Sequence, residues 1–203
     1  MTLLLKGILI GLLFGLPVGA VGALVVRQAF AKGFWAGFLT GLGSSAADCL
    51  YACVGAFGLT FVSDFLLAYQ TPIRLAGSGL ILCLGLRLLL KGRAGAEPAP
   101  AAGGKPGLFL PAFLVGITNP AAVLTFLFAF SWFGLSGGLA PLQGAQLAAG
   151  VFLGTCIWWA ALSAAVCAGK RRWGNRAARW MDPVFGAVLT GFGLVILAGT
   201  FGR

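Results

Sequence analysis

Residues 3–26 read LLLKGILIGLLFGLPVGAVGALVV, and this stretch decides the class of the protein. Its single charged residue is Lys6. A helix needs about 20 mostly apolar residues to cross a bilayer, so the run is long enough to span a membrane. It also continues well past the apolar region of a signal peptide. We therefore interpret it as a retained transmembrane helix.

The composition extends this interpretation to the whole chain of 203 residues. Hydrophobic residues make up 60% and charged residues 9%, whereas soluble domains carry about 25% charged residues. So few charges could not cover a surface in water, which predicts an all-α integral membrane protein with the lipid bilayer as its solvent. The net charge is +10, but the basic residues lie mostly between apolar runs. That placement indicates membrane topology and argues against nucleic-acid binding.

The same length criterion finds further apolar runs and predicts six transmembrane helices in all. The five additional runs are residues 33–62, 73–90, 108–133, 144–168 and 184–201. The run 33–62 is longer than a bilayer requires, so we expect this helix to tilt or to fray at one end.

Basic residues alternate between the connections of these runs. Three connections carry most of them: Arg27, Lys32, Arg87, Lys91, Arg93, Lys105, Lys170, Arg171, Arg172, Arg176 and Arg179. The opposite side has only Lys6, Arg74 and Arg203. The positive-inside rule therefore predicts a multi-pass protein with the three basic loops in the cytoplasm and both termini outside.

Weak internal similarity predicts two inverted three-helix repeats. The repeats would cover residues 1–90 and 108–203, joined by a flexible cytoplasmic linker, residues 91–107, that is rich in Pro, Gly and Ala. The matching segments are Leu16-Pro17-Val18 with Asn119-Pro120-Ala121, Leu42-Gly43-Ser44-Ser45 with Leu153-Gly154-Thr155-Cys156, and Gly77 and Gly85 with Gly186 and Gly193. An odd number of spans in each repeat inverts the second copy. Inverted repeats with interrupted helices are typical of secondary transporters that bind substrate near the midplane.

Two prolines mark the predicted interruptions. Pro17 and Pro120 each remove a backbone donor in the middle of an apolar run, and the freed polar groups need protein, water or substrate as partners. Asn119 is a good cap for a helix that begins at Pro120. The helix after each break could direct its positive N-terminal dipole at an anion such as a carboxylate. A simple packing kink is the alternative interpretation.

Asp48 lies near the centre of the second run and is the strongest single site candidate. An ionisable group at this depth is costly unless it faces a cavity or a partner. It could hold a substrate ammonium or carry a proton, or it could simply bond to Ser44, Thr118 or Asn119. Tyr51, three residues further on, projects from nearly the same helix face.

Several motifs resemble the LysE family of amino-acid exporters, in order and over nearly the whole chain. They are Gly15-Leu16-Pro17-Val18-Gly19-Ala20-Val21-Gly22, Arg27, Gly33-Phe34-Trp35-Ala36-Gly37, Gly41-Leu42-Gly43, Ala47-Asp48-Cys49-Leu50-Tyr51, Thr118-Asn119-Pro120 and Gly150-Val151-Phe152-Leu153-Gly154. The resemblance implies a bacterial inner-membrane exporter of amino acids or related small molecules, driven by an ion gradient. By position it carries over Pro17, Gly19, Asp48, Asn119 and Pro120. Ala20 is a departure, because relatives often have a second proline there.

The sequence-based hypothesis is therefore an alternating-access exporter that is not an enzyme and has no cofactor or metal. Its predicted substrate-binding residues are Pro17, Gly19, Ser44, Asp48, Tyr51, Thr118, Asn119 and Pro120, and Asp48 is also the predicted proton-coupling residue. A homo-oligomer is compatible with the sequence. The chain has no His, so a Ser-His-Asp or Cys-His site cannot form.

Three alternatives stay open at this point. Cys49 and Cys53 stand one turn apart next to Asp48, which would suit export of a metal or toxic organic cation, although two Met and no His leave few soft ligands. A transmembrane thiol-disulfide electron conduit would need paired thiols on the interrupted helices, and the first and fourth runs contain no Cys. A scaffold role would leave Asp48 without a purpose.

Overall fold

The structure, a computed structural model, describes residues 2–15, 19–58, 68–93, 106–118, 125–126, 128–130, 132–133, 135 and 139–201. Of these, residues 14, 70, 91–93, 106, 171–182 and 201 are described by their backbone alone. All regular elements in these ranges are helical. They are α1 (Leu3–Phe14), α2 (Ala20–Lys32), α3 (Phe34–Ala56), α4 (Gln70–Arg93), α5 (Pro106–Ile117) and α6 (Pro141–Phe201). The chain is therefore an all-α membrane protein. Helix α4 continues to Arg93 and α5 begins at Pro106, within the linker predicted at 91–107. Residues 94–105 lie outside the described ranges, so the linker stays a prediction.

The first predicted span is interrupted, as its proline indicates. α1 ends at Phe14, and α2 begins after Gly19, which has φ +110°. Side chains other than glycine rarely adopt this conformation, so Gly19 can turn the chain where another residue would be strained. The predicted end of the span at residue 26 is too early, because α2 continues to Lys32. Gly33, with φ +94°, alone separates α2 from α3.

Helix α1 packs backbone to backbone against the first part of α6. Gly7 lies against Gly150, and Gly11 lies against Gly154, so the two helices run parallel. Small residues at a spacing of four allow this close approach in a membrane. At the end of α1, Gly15 contacts the methyl group of Thr155. Thr155 is in the middle of the apolar stretch Pro141–Lys170, so the break in the first span lies at mid-depth.

Helix α6 has a continuous helical backbone and contains two stretches that are long and apolar enough to cross a membrane. Two contacts relate α6 to α2. The Cys167 thiol contacts the carbonyl of Ala29, and Phe192 lies beside Gly19, which precedes Ala29 by ten residues at the start of α2. In a straight helix residues 167 and 192 would be about 38 Å apart, but ten residues of α2 cover only about 15 Å. α6 therefore changes direction between these contacts, and Pro183 within it removes a helical hydrogen bond.

Three stretches are long and apolar enough to cross a membrane: Thr71–Leu90, Pro141–Lys170 and Pro183–Thr200. They correspond to the third, fifth and sixth predicted spans. α1 and α5 contribute the shorter apolar helices Leu3–Leu13 and Gly107–Ile117. Both are the first halves of predicted spans. In the fourth span α5 ends at Ile117, and residues 119–124 lie outside the described ranges.

Helix α3 occupies the centre between α5 and α6. Gly43 lies against the backbone of Phe109, and Ala47 lies against Gly116, so α3 and α5 run parallel. α3 and α6 run antiparallel, because Gly41 contacts Trp159 whereas Cys49 contacts the carbonyl of Ala148. α3 therefore packs against both α5 and the first part of α6.

Candidate functional site

Asp48 projects from α3 between the faces that contact α5 and α6. Successive residues of a helix are about 100° apart, which puts Asp48 about 40° from Ser44 on the α5 side and about 60° from Ser45 on the α6 side. The side chain is half-buried. Within the ranges that the structure describes, its carboxyl group has no hydrogen bond or ion pair. An acidic group at this depth with accessible surface is available to bind a cation or a proton.

On one side, α3 holds the end of α5. The Tyr51 hydroxyl donates a hydrogen bond of 2.5 Å to the carbonyl of Ile117, the last residue of α5. The Thr118 hydroxyl donates to the carbonyl of Leu114 at 2.7 Å. Carbonyls in the last turn of a helix have no intrahelical donor, so the Tyr51 bond satisfies an acceptor that the end of α5 would otherwise leave open. The Leu114 carbonyl also accepts from the backbone N–H of Thr118 at 3.1 Å.

On the other side, α3 is bonded to the middle of α6. The Thr155 and Ser45 hydroxyls are 2.8 Å apart in a buried hydrogen bond. The neighbouring Cys156 lies close to both Ser45 and Asp48. Because Gly15 contacts Thr155, the break between α1 and α2 reaches the same level of the molecule.

An indole group satisfies the first break in the way that the Tyr51 phenol satisfies the second. Trp158 donates its Nε1–H to the carbonyl of Leu12, in the last turn of α1, at 2.5 Å. Trp158 was not among the site residues predicted from the sequence. A signal was present, because a buried indole N–H needs an acceptor, and a mid-span tryptophan has no water to provide one.

The predicted site residues are only partly brought together. Ser44 and Tyr51 lie against the end of α5, where Thr118 follows, and Asp48 is on the adjacent face. Gly19 lies at the other break, beside Phe192. Pro17, Asn119 and Pro120 lie outside the described residues, so their roles stay predictions.

The structure also separates the possible roles of these groups. Tyr51 is buried and its hydroxyl is occupied by Ile117, so it positions the break, and a direct contact with substrate would have to replace that bond. The proposed structural bond from Asp48 to Ser44 or Thr118 is not formed in the part of the chain that is described. The bond to Asn119 cannot be assessed there, because Asn119 is not among the described residues.

The cysteines offer no arrangement that favours metal or thiol chemistry. All five are described and carry free thiols. Among the described residues, no group of three or more His, Cys, Asp or Glu side chains could hold a metal ion. The alternatives of cation export and electron conduction therefore gain no specific observation from the geometry.

Comparison with known proteins identifies the chain's relatives. The threonine efflux protein of Salmonella typhi is 31% identical over 167 residues, which cover 77% of this chain and 78% of that protein. The threonine efflux protein of Escherichia coli K12 is 30% identical over 166 residues, with the same coverage of both chains. No solved structure matches the chain. The profile of the LysE type translocator matches residues 12–200, which is nearly the whole length. This protein therefore belongs to the LysE type translocator family.

Proposed function

We propose that this translocator exports an amino acid or a related small metabolite across the bacterial cytoplasmic membrane. The observation that carries the proposal is Asp48, a half-buried carboxyl group without a described partner on the helix that packs against both α5 and α6. Its relatives named as threonine efflux proteins favour a neutral amino acid as the substrate class. One central acid suits a zwitterion better than a dication.

The charges of a zwitterion match the chemistry of the site. Asp48 would hold the ammonium group or exchange it for a proton. The carboxylate would lie at the N-terminus of α2, where Gly19 is the cap and no side chain bonds to the free backbone donors. Helix N-termini favour anions because these donors and the helix dipole point at them. The helix that follows Pro120 would contribute in the same way from the second repeat.

The pairing of helices supports two inverted repeats and alternating access. α1 lies parallel to the first part of α6, and α5 lies parallel to α3, so the first helix of each repeat packs on the second helix of the other. The packing pattern is therefore the same whichever repeat is taken as the first, as a two-fold relation between the repeats requires. A site between two such repeats can be opened to either side by moving one repeat against the other.

The basic ends of two helices support the predicted orientation in the membrane. Lys32 ends α2, and the Lys170 ammonium group lies 5.3 Å from the ring centroid of Phe30 on the same helix. Both lysines are therefore at one end of the bundle. By the positive-inside rule this end faces the cytoplasm, and the N-terminus faces outside.

An efflux measurement tests the proposal. Exporter-deficient bacterial cells are filled with amino acids from a dipeptide mixture, and release is compared for empty vector, the parent protein, Asp48→Asn and Glu97→Gln. Glu97→Gln removes a carboxylate from the segment between α4 and α5 and serves as the matched control. We expect the parent and Glu97→Gln to release particular amino acids and Asp48→Asn to release none above vector at equal membrane abundance.

Two results would contradict the proposal. Release by Asp48→Asn at the parental rate would remove its central residue. The absence of release by the parent would exclude the amino-acid class. Proton coupling is tested separately in vesicles, where an imposed pH gradient should drive amino-acid movement through the parent and not through Asp48→Asn.

A further inference from the structure

A line of polar side chains follows the contact between α3 and α6. Thr155, Trp159 and Ser163 stand one turn apart on the face of α6 that meets α3. Opposite them on α3 are Ser45, Gly41 and Gly37, in the reverse order. We call these six residues the seam.

Two side chains of the seam are buried without a hydrogen-bond partner. Ser163 is 0% exposed and Trp159 is 3% exposed. Among the described atoms, neither Ser163 Oγ nor Trp159 Nε1 has an acceptor or donor in reach. A buried polar group without a partner is costly, and more so where lipid excludes water.

The missing bond of Ser163 contrasts with the hydroxyl groups of four other residues in α3, α4 and α6. Thr40, Ser78, Thr155 and Thr200 each donate to a carbonyl three or four residues earlier in their own helix. Ser163 has the same option and does not use it. Its hydroxyl instead points across the contact, where a methyl group on Gly37 would collide with it.

The seam joins Asp48 to the basic end of the bundle. It begins at the Thr155–Ser45 bond, one turn from Asp48, and continues through Ser163 towards Lys170. In the opposite direction the contacts are apolar, since the buried cluster there contains Phe126, Phe130 and Leu147. Among the residues that the structure describes, the polar side chains of this contact therefore continue from the site towards the basic end.

We propose that the seam is the cytoplasmic access route to Asp48, and that the Ser163 hydroxyl and the Trp159 indole N–H line it when α3 and α6 separate. The glycines of α3 let the helices close tightly. This closure leaves the two polar groups without partners, and water that enters on separation satisfies both, so opening relieves the cost of the closed state. The inference rests on the proposed function in that Asp48 is the end of the route.

Thiol labelling tests access along the seam without reference to any substrate. Ser163→Cys is compared with Ser78→Cys, a fully buried serine of α4 whose hydroxyl is bonded to Leu75. Both are placed in a chain whose five native cysteines are alanine, and a small membrane-impermeant methanethiosulfonate is added to inside-out and right-side-out vesicles. We expect Ser163→Cys to react at least tenfold faster than Ser78→Cys, and only from the cytoplasmic face. Equal rates, or faster reaction from the outer face, overturn the proposal.

A second measurement uses the otherwise native chain. Ser163→Ala and Thr190→Ala each remove a buried hydroxyl that lacks a partner among the described atoms. Thr190 is in the last part of α6 and faces α4, away from the seam. Neither variant should unfold at a lower temperature. We expect Ser163→Ala to slow efflux at least threefold and Thr190→Ala to leave it unchanged.

The two arms separate this inference from the proposed function. Parental efflux by Ser163→Ala, or equal slowing by Thr190→Ala, overturns the route and leaves amino-acid export in place. If the parent releases no amino acid, labelling of Ser163→Cys still decides whether the seam opens to the cytoplasm.

Discussion

The phenol of Tyr51 on α3 donates a hydrogen bond to the carbonyl of Ile117, the last residue of α5. The bond fixes the end of an interrupted helix to the same turn of α3 that carries Asp48. Trp158 makes the corresponding bond to Leu12 at the end of α1. An aromatic donor from a neighbouring helix therefore bonds to a carbonyl in the last turn of both α1 and α5.

Tyr51→Phe should destabilise the protein and impair export. The change keeps the ring but leaves the Ile117 carbonyl without its donor in a buried position. Loss of a partner in such a place costs about 1–3 kcal/mol. We expect a lower unfolding temperature in detergent and slower efflux, because the break beside Asp48 is no longer fixed. Unchanged values of both would show that this bond does not hold the break.

Trp158→Phe tests the first break by the same logic. It removes the donor to Leu12 and part of the ring, so we expect a loss of about 2–5 kcal/mol, above that of Tyr51→Phe. Trp132→Phe is the control, because Trp132 is 75% exposed in the isolated chain and should tolerate the change. If both tryptophan variants unfold alike, the indole bond at α1 makes no net contribution.

The interruption of the first span could be predicted from the sequence, but its exact ends could not. Pro17 in an apolar run indicates a break through its missing donor. The end of α2 at Lys32 was missed because the apolar run stops before Arg27. The helix continues because no strong helix breaker stands before Gly33. The continuous backbone of α6 was missed because the cluster of basic residues after Lys170 was interpreted as a loop. Lysine and arginine are good helix formers, and charge alone does not end a helix.

The candidate site was predictable for Asp48 and much less so for its surroundings. A lone acid at mid-span stands out because of its cost in lipid. The contacts that place it are between residues far apart in the chain: Tyr51 with Ile117, and Ser45 with Thr155. The periodicity of residues within one helix does not predict contacts between residues so far apart in the sequence. Ser163 was not singled out, because a serine in an apolar helix ordinarily bonds to its own backbone.

Gly150→Ala should disrupt the contact of α1 with α6. A methyl group there would collide with the carbonyl of Leu4 and with Gly7, and backbone atoms cannot move aside cheaply. We expect a loss of about 1–3 kcal/mol, as for other overpacked positions. Gly191→Ala, in the same helix with nothing near its added methyl group, should instead be neutral or stabilise by up to about 1 kcal/mol. Thermal unfolding of the two variants side by side makes the comparison, and a similar shift in both would refute the close contact.

The Thr155–Ser45 bond should couple α3 to α6 energetically as well as geometrically. Thr155→Val leaves the Ser45 hydroxyl buried without this partner and should cost about 1–3 kcal/mol, whereas Ser45→Ala should cost less, because Thr155 still donates to the carbonyl of Phe152. The double variant removes both groups and should lose less than the sum of the two, by about 0.5–3 kcal/mol, as expected for residues in contact. Denaturant unfolding of the four proteins gives this coupling energy. Because the bond also closes the central end of the seam, we expect the double variant to export more slowly than its stability alone predicts. If the losses in the free energy of unfolding are additive, and efflux falls only as far as the loss of stability explains, the two hydroxyls are packed together without linking the helices that flank Asp48.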